Sequence, residues 1–159
     1  TAMKKEAVLI ENETDDKAIT LFKFENNGIG IVETSRVSTG NKNDLKYTLT
    51  GNQGALRFSM ERNDELQFYN NNEEESLKGF TKIQMAPFNE DFAKFHPVAG
   101  MGLGYQAYKI LECRKIIEAI ASNEEAYPNF RWGAEIQLLV DAAIKSSNEN
   151  RWIKVKDLL

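Results

Sequence analysis

Three glycines at alternate positions, Gly100, Gly102 and Gly104, stand ahead of an amphipathic run in the stretch "AGMGLGYQAYK". Such a loop could cradle a phosphate. A dinucleotide fingerprint needs a strand before the glycines, a helix after them and an acidic residue about 20 positions on, at the end of the next strand. Those parts make the tight turn, admit the pyrophosphate to the backbone and grip the ribose. Here the third glycine comes one position early, Pro97 in "FHPV" bars a central strand upstream, and Glu124 and Glu125 follow a helix rather than a strand. The loop is therefore not expected to hold a dinucleotide. A helix N-terminus still attracts anions, which leaves a polar or anionic ligand near Gly104 open.

His96 is the only histidine and Cys113 the only cysteine. That excludes an internal disulfide and any Cys/His zinc site. Cys113 falls on an apolar helix stripe, which predicts a buried, inert thiol. The run "NNNEEESLK", Asn70 to Lys78, offers carboxylate oxygens of the kind hard cations take. Three consecutive glutamates lack the alternate-position ligands and turn glycine of a calcium loop, so a solvated hairpin tip is expected and no metal site.

The chain that must position these groups has 159 residues, 42% of them hydrophobic and 28% charged, enough for one domain with a real core. The net charge of -4 argues against a nucleic-acid surface, which needs a Lys/Arg excess. No apolar run approaches the stretch of about 20 residues that spans a bilayer, and no signal-peptide start is visible, so a cytoplasmic location and no membrane partner are expected.

Hydrophobic period divides the sequence into a β half and an α half. "KAITLFKF" and "IGIVETSRV" flank Asn26, Asn27 and Gly28, a hairpin signal because Asn-Gly tolerates the positive φ of tight turns. "DLKYTLT", "ALRFSM", "ELQFY" and "GFTKIQM" continue with period two. Two one-sided helices follow. The first has its stripe at Cys113, Ile116, Ile117, Ile120 and Ala121, the second at Trp132, Ile136, Leu139, Val140 and Ala143. A last strand, "RWIKV", is expected to rejoin the sheet. The pattern predicts an α+β fold in two layers, an open, mainly antiparallel sheet with helices packed on one face. In "AITLFKF" both faces are apolar, and helices can cover only one. A partner subunit is the expected cover for the other, with loops or the N-terminal segment as the alternative.

Taken in order, "FENNGIGIVETSRVSTGNKN", "YTLTGNQGALRFSMERNDELQFY", "HPVAGMGLGYQ", "YPNFRWGAEIQLLVDAAIKSS" and "RWIKV" resemble the C-terminal domain of the Gfo/Idh/MocA oxidoreductases, the glucose-fructose oxidoreductase and inositol dehydrogenase family. The resemblance covers about Asp15 to Val155. It implies a parent with an N-terminal Rossmann domain that binds NAD or NADP and a C-terminal domain whose open sheet makes homo-oligomer contacts and helps wall a sugar or polyol site. The family's cofactor glycine loop, its Glu-Lys-Pro motif and its Asp-x-Gly-x-His motif lie upstream of this domain, and none occurs here. His96 precedes a proline in a loop, whereas the family's catalytic histidine sits on a helix earlier in the chain. The resemblance thus implies a single C-terminal domain, residues 1–159, with no catalytic, cofactor-binding or metal residue of its own and no activity alone. The alternative is a free-standing α+β binding or dimerisation module.

Substrate contacts are the remaining role. Arg36, Lys42 and Asn43 in "SRVSTGNKN" gather donors for sugar hydroxyls at a strand end and the loop after it, with an oligomer contact or a solvated loop as the alternative. His96 lies in the long loop from Ala86 to Gly104, a length that favours a site or an interface, with plain surface exposure as the alternative. Tyr105 could present its hydroxyl at the helix start or pack in the core.

Overall fold

The structure, a computed structural model, describes residues 14–84, 90–93, 98 and 100–158. The chain forms two antiparallel sheets and two long helices, an α+β fold. Strands β1 (Lys17–Lys23) and β2 (Ile29–Ser35) make one sheet; β3 (Lys46–Thr50), β4 (Gly54–Ser59), β5 (Glu65–Asn70) and β6 (Thr81–Gln84) make the other, in sequence order. A short helix α1 (Glu90–Ala93) precedes α2 (Tyr105–Ser122) and α3 (Phe130–Glu149). Two compact units result: one takes the chain up to Asn41 together with Asp141 onward, the other takes Lys42–Val140. Every expected strand up to β6 forms, but in two sheets rather than one.

The first hairpin turns where the sequence predicts. Asn27 takes a φ of 64°, the Phe24 and Gly28 backbones bond across the turn at 2.9 Å, and the Asn26 side chain accepts the Gly28 N–H at 2.9 Å. The register then sets Leu21 opposite Ile31. Strand β1 alternates sharply, with Ala18, Thr20 and Phe22 half-buried and Ile19 and Leu21 exposed. Ile29 and Ile31 of β2 are exposed as well, so one face of this hairpin is an open aliphatic patch.

In the second unit one glycine is dictated by packing. A Cβ on Gly54 would stand 2.1 Å from the Tyr69 carbonyl oxygen, closer than any side chain tolerates. The tip between β5 and β6 is the expected polar turn, a single 3-10 turn over Glu75–Leu77. Asn71 and Asn72 bind back to the β3–β4 turn at Asn52 and Gln53, 3.0 and 2.9 Å away.

The helices depart from expectation. On α2 the side turned inward carries Ala107, Tyr108, Leu111 and Arg114, with Leu111 only 5% exposed. Cys113 lies two residues, about 200°, round from Leu111 and is exposed, as are Ile116, Ile117 and Ile120. The helix carries two apolar stripes, and the smaller one is buried because Tyr108 docks there, its hydroxyl donating to the Asn63 carbonyl at 3.0 Å. On α3, Leu138, Leu139, Ala142 and Ala143 face inward while Trp132, Ile136 and Val140 are exposed, so only Leu139 and Ala143 of the expected stripe are used.

The expected last strand does not form. Asn150 adopts a φ of 52° and turns the chain back; Arg151 then pairs with Glu149 at 2.6 Å and its carbonyl accepts the Ser146 hydroxyl at 2.6 Å. "RWIKV" is thereby tied to the end of α3 and runs into a 3-10 turn at Val155–Leu158.

Candidate functional site

Paired residues on antiparallel strands share a face, so register sorts the four-stranded sheet. One face is apolar: Leu49 opposes Leu56, Leu56 opposes Phe68, Leu66 opposes Ile83, and the Tyr47 and Phe58 rings stack with centroids 5.2 Å apart. The other face is polar: Lys46 opposes Ser59, Thr48 opposes Arg57, Arg57 opposes Gln67 and Gln67 opposes Lys82. On that face lies a cavity of about 280 Å³. Lys46, Thr48, Arg57, Ser59, Arg62, Glu65 and Gln67 line it, with Tyr47 and Phe58 between them.

Its charged groups are held in definite ways. The Asp44 side chain, 6% exposed, accepts a bond from Lys46 Nζ at 2.8 Å and another from Ser59 Oγ at 2.7 Å. Those two bonds, the lysine's first, hold its carboxyl below the usual value of 3.8, and the same carboxylate raises Lys46. Glu65 accepts from Lys82 Nζ at 2.8 Å, and Arg62 Nη1 stands 4.0 Å from its other oxygen. The Arg57 guanidinium lies over the Phe80 ring, 3.9 Å from its centroid, and Tyr69 flanks that ring at 5.8 Å. These groups can bind and orient a small polar molecule. Among the described residues no group of three or more His, Cys, Asp or Glu could hold a metal ion.

Of the residues singled out from the sequence, the described ones, Arg36, Lys42, Asn43 and Tyr105, do not line this cavity. Arg36 follows β2 directly, its backbone N–H bound to the Asp16 carbonyl at 2.8 Å and its side chain exposed. Lys42 and Asn43 are exposed in the loop before β3, and the Lys42 N–H donates to Glu61 Oε1 at 2.9 Å, which pins the loop beside Arg62. Tyr105 opens α2 and is 53% exposed, with Lys109 Nζ 5.7 Å from its ring centroid; core packing is not its role. His96 lies outside the described residues. Gly104 caps α2 with no side-chain hydrogen bond, and Gly100 has a φ of 82°. Arg57, Ser59 and Gln67 were missed because alternation shows that they share a polar face but only register brings them side by side.

Comparison with known proteins places the whole arrangement. Residues 2–155 match the family described as the oxidoreductase family, C-terminal alpha/beta domain, GFO_IDH_MocA_C. The chain belongs to this family. A levoglucosan dehydrogenase from Pseudarthrobacter phenanthrenivorans is 29% identical over 146 residues, which are 92% of this chain and 37% of that protein. The crystal structure of an NAD binding oxidoreductase from Klebsiella pneumoniae is similar with a TM-score of 0.84 and 30% identity, covering 90% of this chain and 39% of its own. A levoglucosan dehydrogenase structure in complex with NADH and levoglucosan gives 0.85 and 29%, covering 89% and 38%. The chain thus spans well under half the length of the relatives it matches, and the family domain accounts for nearly all of it. No helix among the described residues is long and apolar enough to cross a membrane.

Proposed function

We propose that this chain is the substrate-side and oligomerisation domain of an NAD- or NADP-dependent oxidoreductase that acts on a sugar, a polyol or a related hydroxyl compound. The observation that carries the reading is the family match over residues 2–155, joined to relatives described as dehydrogenases and bound to NADH and levoglucosan. On this reading the nicotinamide supplies hydride chemistry from a domain outside this chain. The chain's own part is to bind and orient substrate through donors such as Arg36, Lys42, Asn43, His96 and Tyr105. It works in the cytoplasm and associates as a homo-oligomer. Support for association is the open patch of Ile19, Leu21, Ile29 and Ile31, which water contact disfavours at about 25 cal/mol per Å².

The test is the protein expressed from the complete reading frame and assayed for nicotinamide reduction against levoglucosan, hexoses and inositols. Reduction with at least one of them is the expected result. A full-length protein that neither binds NAD(P)H nor reduces NAD(P) with any of these compounds overturns the reading.

A further inference from the structure

The geometry points to a second binding site, on the polar face of the four-stranded sheet, for a small oxyanion on a hydroxylated body: a sugar carboxylate or a sugar phosphate held between Arg57 and Arg62. It stands on the cavity's own chemistry, independent of the oxidoreductase reading. The chain as a whole is acidic, with a net charge of -4, yet the cavity collects Lys46, Arg57 and Arg62 against Glu65 alone. Two of those four charges are already matched. Lys46 is held by Asp44, and Glu65 is taken by Lys82 at 2.8 Å, with Arg62 reaching its other oxygen only at 4.0 Å. Glu61 acts on Lys46 as well, so the cations Lys46, Arg57, Arg62 and Lys82 meet the carboxylates Asp44, Glu61 and Glu65. The excess falls on the guanidinium groups, Arg57 without a carboxylate partner among the described residues and Arg62 held only at 4.0 Å.

Arg57 is also pre-set. Its Cζ stands 3.9 Å from the Phe80 ring centroid, a cation–π contact that restrains the side chain without using a carboxylate. Among the described residues no carboxylate pairs with it. A side chain already restrained loses less freedom on binding. Around the two arginines, Ser59 gives its hydrogen to Asp44 and so presents lone pairs, while Thr48 and Gln67 offer a hydroxyl and an amide. Those groups recognise hydroxyls. The volume of about 280 Å³ lies just below the range of about 300–1,000 Å³ usual for small-molecule sites, which suits a single sugar unit.

The test is titration of the ¹⁵N-labelled full chain, at low ionic strength, with D-gluconate, D-glucose 6-phosphate and neutral D-glucose. We expect saturable shifts of the amides in β3, β4 and β5 with one or both anions, weakened by added salt, and affinity about tenfold or more lower for glucose, the loss of one charge-assisted contact. A stronger response to gluconate marks a carboxylate ligand, a stronger response to the phosphate marks a phosphorylated one, and either supports the site. Arg62→Gln should weaken anion binding about tenfold. Arg57→Lys, which keeps the charge but not the fork, should fall between. Arg62 lies outside the strands, so its variant keeps the test decisive if Arg57 variants fold poorly. Equal binding of glucose, shifts confined to other elements, no saturation with either anion, or wild-type affinity in a folded Arg62→Gln protein would each overturn the proposal.

Discussion

Asp44 shows how much one side chain organises here. Its carboxylate ties the loop before β3 to the end of β4 through Ser59 and anchors Lys46, so the polar face depends on its charge. Because its folded pKa is held below the ordinary 3.8, the bonds stabilise the fold fully above the unfolded value and are lost as pH falls through the folded one. Asp44→Asn should therefore lower the thermal midpoint at neutral pH and flatten the loss of stability below about pH 4, as followed by circular dichroism across an acid series. Equal midpoints at pH 7 would deny the carboxylate this role. Leu111 makes a separate case. It is one of two fully buried apolar residues among the described ones, and Leu111→Ala should cost about 2–3 kcal/mol in urea unfolding, at the lower end for such changes because the half-open surroundings can close in.

At the scale of elements, the sequence is a good guide to strands and a partial one to helices. Alternation at Leu45, Tyr47 and Leu49 and the turn at Asn27 are local signals, and β3 and the first hairpin form as they predict. The division into two sheets arises because β2 and β3, unlike every other consecutive pair from β1 to β6, do not pair, and no local pattern marks that break. On α2 the period of 3.6 residues is read correctly, but a helix with two apolar stripes does not reveal which one its own chain buries. The choice fell to Leu111 and left Cys113 outside. The last strand failed for a nearer reason, the ties of Arg151 to Glu149 and Ser146. The candidate site was the least legible part, since Arg57 and Gln67 become neighbours only through the β4–β5 register. The first hairpin carries its own prediction. If its aliphatic face meets a second copy, Leu21→Asp sets a charge opposite Ile31 and should convert the chain from a dimer or larger to a monomer in light scattering at micromolar concentration, with unchanged circular dichroism. A wild-type chain that is already monomeric would remove that role from the hairpin.

For the whole molecule, exposed apolar surface is the dominant feature. Ile120 is 74% exposed, and Phe130, Trp132 and Ile136 stand open on α3. Such faces are surfaces that the proposed association would cover. The central claim is a division of labour, in which this domain shapes a substrate site and assembly while nicotinamide chemistry belongs to the rest of the protein. Nicotinamide fluorescence tests it most directly, with NADH and NADPH titrated in parallel into the isolated 159-residue chain and into the full-length protein. The account predicts saturable enhancement with the full-length protein and none with the isolated chain. Saturable binding by the isolated chain, or none by the full-length protein, would contradict it.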